Sequence, residues 1–335
     1  MIETLRDFSE QLGAMKKIDD PHPSNRRYYY LLRFGTGGFV KRTSYTEVSI
    51  PKKNGETRRL HVPGYRLKYL QRYLLSFFSY GQISQHAFAY IKGTSLLHHA
   101  KKHKNSPMLV KLDIENFFDS ISFGQVFYAI HQALSHCPQV SPNHTALSYH
   151  FTQFCTLEGS LPQGAPTSPM LSNLVFFHID EALSAYCKAR NITYTRYCDD
   201  LIFSGDFHPA GLIGFARRLL LKNGFTLHEK KTVIAGKGRQ QKVTGILVNT
   251  RPQADKAYRR KIRQELYFIG KYGIDNHLDF LKRTAAIDQG YTEISYLQSL
   301  LGRICFVLQI DPANKEFAGY KQACVHLCHL LLKQR

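Results

Sequence analysis

Asp113 closes a short apolar run, MLVKLDI, and Asp199-Asp200 sit in the gap between two more, ITYTRY and LIFSG. Apolar runs of this length bounded by polar residues read as buried strands. An acid in a turn is ordinarily structural, since Asp tolerates unusual dihedrals and caps backbone groups. Three carboxylates converging at the ends of buried strands are a stronger signal, because they would repel one another strongly. A hard divalent cation with oxygen ligands relieves that repulsion. Two such ions, roughly 4 Å apart, are the general device for in-line phosphoryl transfer. Asp113, Asp199 and Asp200 are therefore candidate ligands of two such divalent cations.

The elements that must hold these acids follow from the pattern around them. TEVSIPKKNGETRRLHVP reads as two strands joined at an Asn54-Gly55 turn. GYRLKYLQRYLLSFF has helical periodicity, and a long helical stretch is expected after MLVKLDI as far as about residue 158. LPQGAPTSP is a Pro/Gly loop that becomes a helix. GLIGFARRLLLKNG is a further helix, FTLHEKKTVIAG a strand–turn–strand unit, and KVTGILV a short hairpin. From Arg251 the pattern is helical and basic. The expected fold class is α+β, with an N-terminal extension over 1–46, a mixed core over 47–250 and a helical domain over 251–335.

The chain carries 45 Lys plus Arg against 25 Asp plus Glu, a net charge of +20 and a pI near 9.6. Such a balance points to a polyanionic partner. A membrane surface is not favoured: no apolar run approaches the ~20 residues of a spanning helix. MIETLRDFSE has no apolar core of a signal peptide. The seven scattered cysteines suit reduced thiols and a cytoplasmic location. Cys324, His326, Cys328 and His329 lie in one helical stretch. One helix cannot easily wrap a tetrahedral zinc ion, so a buried helix face is expected there.

The ordered motifs resemble those of the reverse transcriptase family and, within it, the bacterial retron reverse transcriptases. The resemblance covers about residues 47 to 250. IPKKNGETRRLHVP with LKYLQRYL is similar to the fingers motif. VKLDIENFFDSI is similar to the palm strand, LPQGAPTSP to a nearly diagnostic loop, and YCDD to the family's Tyr-x-Asp-Asp turn. GFTLHEKKT and KVTGILV are similar to the next palm motif and the primer-grip hairpin. The fold implied is a right-hand polymerase with fingers, a palm of antiparallel sheet plus helices, and a helical thumb. Two features resemble retron enzymes specifically: Val243-Thr244-Gly245, and HAKKH at His99 to His103, with His99 where those enzymes usually carry Asn. Cys198 replaces the usual Ala of the turn.

The resemblance implies roles. Asp113 and Asp199 would coordinate both magnesium ions, with Asp200 a weaker ligand. Ile114 would help hold the triphosphate, and Gln163 and Gly164 would contact nucleotide and template. Phe118, five residues after Asp113, would exclude a 2′-hydroxyl by steric rejection, with Phe117 as core. Arg58 and Lys53 would bind the triphosphate, Arg as a fork and Lys as a point charge; a solvated basic hairpin is the alternative. Lys231 is the candidate proton donor to pyrophosphate, with Lys230 as rival. Val243, Thr244 and Gly245 would contact primer or RNA. Arg259, Arg260 and Arg263 read either as a thumb helix gripping duplex backbone or as a solvated face.

The implied activity is RNA-directed DNA polymerisation. Part of a structured noncoding RNA would be copied into single-stranded DNA that stays linked to that RNA through 2′-hydroxyl priming. The partners implied are that RNA as template and primer, dNTPs, the RNA–DNA hybrid product, and an effector protein in antiphage defence. A free-standing reverse transcriptase like those of group II introns and a catalytically silent RNA-binding protein are the alternatives.

Overall fold

The computed structural model describes residues 1–8, 10–11, 44–51, 57–284 and 286–333. The chain divides into two compact units. The first comprises 1–93, 110–203 and 207–234, and the second 94–109, 204–206 and 235–335.

In the first unit, β1 (Tyr45–Pro51) and β2 (Thr57–Pro63) pair antiparallel from Tyr45↔Pro63 to Pro51↔Thr57. The expected Asn54-Gly55 turn, and Lys53 with it, lie outside the described residues. Helix α1 (Tyr65–Phe78) buries Leu67, Leu70, Leu74, Phe77 and Phe78. That three-and-four spacing is the core-facing stripe of a packed helix.

The long helical stretch expected after residue 113 is two helices separated by a loop. Since α2 is Leu96–Lys101 in the second unit, they are α3 (Phe123–Ser135) and α4 (Thr145–Cys155). Pro138 and Pro142 lie between them. Each lacks a backbone N–H and clashes with the preceding turn, so neither is tolerated in a helix interior. A capping box of Ser122 and Gln125 starts α3.

Helix α5 (Ser168–Lys188) grows out of the Pro/Gly loop, with Pro169 in its first turn. After it come β4 (Thr193–Tyr197), β5 (Asp200–Gly205) and α6 (Pro209–Lys222). The central sheet has the order β4-β5-β3-β6, where β3 is Met108–Asp113 and β6 Val233–Gly236. In the core Phe117, Phe176 and Phe225 pack ring against ring, 5.2–5.9 Å between centroids. Buried aromatics of this kind contribute area and edge-to-face attraction together.

In the second unit, β7 (Lys242–Val243), β8 (Ile246–Leu247) and β9 (Gln253–Ala254) form a small antiparallel sheet. Four helices follow: α7 (Lys256–Tyr272), α8 (Ile274–Arg283), α9 (Glu293–Ile310) and α10 (Lys315–Lys333). On α10 Cys324 is buried, while His326 and His329 are exposed. Among the described residues no helix is long and apolar enough to cross a membrane.

Candidate active site

Adjacent strands bring the acids together. Asp113 ends β3 and Asp200 begins its neighbour β5, with Cys198 and Asp199 forming the turn from β4. The Ile114 amide donates to the Asp199 carbonyl at 3.1 Å, tying the end of β3 to the turn. On the other side, the His228 amide donates to the Asp113 carbonyl at 2.8 Å. Asp113 is thus fixed at the backbone on both sides and is only 7% exposed.

Two lysines compensate the acids. Lys231 Nζ donates to Asp113 Oδ1 at 2.9 Å, and Lys111 Nζ lies 2.8 Å from Asp200 Oδ2. Burial pushes the Asp200 carboxyl up from the ordinary carboxylate range; Lys111 pulls it back, and Asp199 and Asp113 push it up further. The hydrogen bond to Asp113 raises the Lys231 ammonium, and the charges of all three acids add to it. Asp200 therefore feels the charges of the other two carboxylates. Lys231 rather than Lys230 touches Asp113. Lys111 escaped the sequence reading, though a signal existed: it lies two residues before Asp113, on the same face of a strand.

Among the described residues no three His, Cys, Asp or Glu side chains form a ready cage for a metal ion. Mg2+ rarely uses such cages; it is bound by one or two carboxylates and completed by substrate phosphates and water. A buried hard-oxygen donor at Asp113, with Asp199 and Asp200 in electrostatic reach, fits that mode.

The other expected site residues divide. Phe117 is core and Phe118 half-buried, so Phe118 is the more available of the pair. Ile114 is buried, and the Asp199 carbonyl holds its amide. The Gln163 carbonyl accepts from the His61 amide at 2.7 Å. Gly164 has φ +110°, and a Cβ there would meet the His61 carbonyl at 2.9 Å, so only glycine lets the loop lie this close to β2. Arg58 is exposed on β2. Tyr90, which the sequence did not single out, has φ +63° and donates its hydroxyl to Cys198 Sγ at 3.2 Å. Burial pushes the Cys198 thiol up to about 12, so it is an unreactive small packing group.

In the second unit the two retron-like segments meet. Helix α2 packs on β8, the Asn105 amide donates to the Val248 carbonyl at 2.8 Å, and Gln241 Nε2 donates to the Ser106 carbonyl at 3.1 Å. His99 and His103 are fully buried, with His103 Nδ1 2.7 Å from Ser204 Oγ. Burial pushes His99 down to about 4 and His103 down to about 3. Val243 is buried, while Thr244 and Gly245 have φ +47° and +84° in the β7–β8 turn. Positive φ at both central residues is the mark of a type I′ hairpin turn, a conformation that glycine accepts and a β-branched threonine resists.

On α7, Arg260 is exposed, and Arg259 is half-buried with its Nε unpartnered. Arg263 grips Glu316 of α10 with Nε and Nη2 at 2.6 and 2.7 Å.

A family model for reverse transcriptase (RNA-dependent DNA polymerase) matches residues 50–248, which contain every one of these first-unit residues from Arg58 to Lys231. This chain belongs to the bacterial retron reverse transcriptases. It is 33% identical over 236 residues to the retron Mx65 reverse transcriptase of Myxococcus xanthus, covering 67% of this chain and 55% of the relative. It is 30% identical over 253 residues to the retron Ec86 reverse transcriptase of Escherichia coli, covering 74% and 76%. The chain spans about half the length of the Myxococcus relatives it matches. Among solved structures, apo telomerase from Candida tropicalis aligns with a TM-score of 0.44 and 14% identity, covering 68% of this chain and 59% of that one. The described residues form a mixed arrangement of helices and sheets, the α+β class expected from the sequence.

Proposed function

We propose that this chain is an RNA-directed DNA polymerase that copies part of a structured noncoding RNA into single-stranded DNA. The observation that carries the reading is the acid set at the ends of adjacent strands, a buried Asp113 with the half-buried Asp199 and Asp200 beside it, inside the segment matched to the family. Asp113 and Asp199 would hold two Mg2+ ions, with Asp200 in support. When bound, these supply the charge that lowers the pKa of the primer hydroxyl and neutralises the triphosphate.

The chain's own residues do the rest. Arg58 and Lys53 bind the triphosphate. Ile114, Gln163 and Gly164 shape the nucleotide site, and the half-buried Phe118 ring excludes a 2′-hydroxyl. Lys231, already on Asp113 and more than half exposed, has the reach to turn toward the leaving pyrophosphate and give it a proton. Val243, Thr244, Gly245, Arg259, Arg260 and Arg263 belong to the unit that holds primer and RNA. Domain limits at 46 and 250, for extension, fingers with palm, and thumb, complete the reading.

By likeness to retron enzymes, synthesis starts from a 2′-hydroxyl of a guanosine in the bound RNA, and the system serves antiphage defence with a separate effector protein. Positioning that hydroxyl needs a folded RNA, which backbone charge alone does not specify. The test is to sequence the nucleic acid that copurifies with the protein and to treat it with an enzyme that cleaves only 2′,5′ linkages. Release of free DNA is expected. DNA joined by a 3′,5′ bond, or to protein, would sink the retron priming and leave reverse transcription standing. A product without DNA would sink both.

A further inference from the structure

Two residues before the acid turn lies Arg196, the largest fully buried side chain in the described structure. Burying a guanidinium is costly unless its donors are all met. Its Nε and Nη2 grip Asp180, itself buried, with contacts of 2.9, 3.2 and 2.7 Å. The Phe176 ring lies 4.7 Å below the guanidinium carbon. Asp180, Phe176 and Asn173 share one face of α5, so the pair joins β4 to that helix. Tyr194 adds its hydroxyl to Asp180 Oδ1 at 2.7 Å.

Joining strand to helix would need only Nε and Nη2. The third arm reaches further: Nη1 donates to Asn173 Oδ1 of α5 at 3.1 Å and also to the Cys198 carbonyl of the turn at 3.2 Å. Cys198 stands in the left-handed region, φ +57°, and Asp199 follows it. The next peptide is held as well, since the Asp199 carbonyl accepts from the Ile114 amide at 3.1 Å. Both peptide groups flanking Asp199 are therefore pinned, one by Arg196 and the other by the strand that carries Asp113. Fixing the two peptides fixes the direction in which the Asp199 side chain leaves the backbone.

We propose that Arg196 is a positioning residue for DNA synthesis: anchored on Asp180, its Nη1 holds the Cys198–Asp199 peptide so that Asp199 presents its carboxylate toward Asp113. The proposal rests on the polymerase reading above. A lysine cannot replace it, because one ammonium cannot hold Asp180 and reach the turn carbonyl in the geometry of a planar fork.

The experiment compares four full-length proteins on an RNA template annealed to a DNA primer, with dNTPs and Mg2+. Arg196→Lys is expected to lower kcat roughly ten- to hundredfold, since small misplacements of a reacting group cost that much. KM for dNTP and RNA affinity stay within about twofold of wild type, and the Mg2+ concentration for half-maximal rate rises. Tyr194→Phe touches the same buried cluster but not the turn, and is expected to lower the melting midpoint with kcat per folded molecule unchanged. If Arg196→Lys does not fold, Arg196→Met with Asp180→Leu takes its place. Apolar replacement of a buried ion pair generally preserves the fold, and it removes the donor to Cys198. The same kcat loss is then expected in a stable protein. Wild-type kcat and Mg2+ dependence in either folded variant would overturn the proposal and leave the polymerase reading intact. A wild-type protein that incorporates no dNTP would overturn that reading and the proposal with it.

Discussion

Lys231 and Lys111 meet Asp113 and Asp200 through single ammonium contacts, whereas Arg263 and Arg303 grip Glu316 and Glu265 with both arms of a guanidinium. The first two pairs lie at the acid end of the central sheet, the second two within the helical unit. An ammonium on a flexible stem can leave one partner for a phosphate with little rearrangement, while a planar fork seated on a carboxylate holds its geometry. Arg263 also stacks over Phe317, and Glu265 receives the Tyr296 hydroxyl as well. The two lysines that touch the acids thus stay exchangeable, and the helical unit commits some of its arginines to holding helices together. These pairs already cancel within the net charge of +20, so it is the count of 45 Lys plus Arg that overstates the cations free to meet a polyanion.

The sharpest break of that comparison lies at the acids. Asp199→Asn is expected to lower primer extension on the order of a thousandfold with no change in melting midpoint. A variant extending at near wild-type rate would remove Asp199 from the metal-binding role. Next come the adjacent phenylalanines. Phe117→Ala is expected to cost about 3–5 kcal/mol of stability, as a truncated core aromatic does. Phe118→Ala should leave stability largely intact and shift the GTP-to-dGTP ratio of kcat/KM by roughly ten- to hundredfold. An unchanged ratio would place the sugar gate elsewhere.

The helical unit offers a finer test. Arg260→Ala is expected to flatten the log–log salt dependence of RNA binding by about one unit, as the loss of one phosphate contact does. Arg263→Ala is expected to leave that slope unchanged and to cost about 1 kcal/mol, the upper range for a partly exposed pair. Equal slope changes in the two variants would erase the distinction between committed and available arginines.

The smallest effect concerns acid. Burial depresses His99 and His103 below their unfolded value of about 6.5, to about 4 and about 3. Their neutral forms therefore stabilise the fold fully above about 6.5, and that contribution is lost as pH falls toward the folded values. Between pH 7 and 5.5 the loss is about 1 kcal/mol per histidine. His99→Asn should flatten the pH dependence of the melting midpoint over that interval. An unchanged slope would show that His99 takes up no proton on unfolding.

Much of the site was legible because its chemistry is local. Asp113, Cys198-Asp199-Asp200 and Gly164 lie at strand ends and turns whose residue types are dictated within a few positions. The helices at Tyr65–Phe78, Ser168–Lys188 and Pro209–Lys222 and the strands around the acids follow the same logic of period and punctuation. The break between α3 and α4 is written locally in Pro138 and Pro142. The partners were not legible. Nothing near Arg263 in sequence announces Glu316, 53 positions away, or near Lys231 announces Asp113, 118 positions away. Two arginines of one sequence character, Arg260 and Arg263, have different fates because only one faces another helix.

The order of motifs and the spacing of acids, which encode the polymerase type, were set by the sequence alone, since strand, turn and glycine geometry are short-range properties of the backbone. Tertiary structure decided which lysine touches Asp113, which phenylalanine enters the core, and that a buried arginine reaches the peptide before Asp199. Side-chain ion pairs and packing contacts depend on which surfaces the folded chain brings together, and that is a long-range outcome no local pattern records.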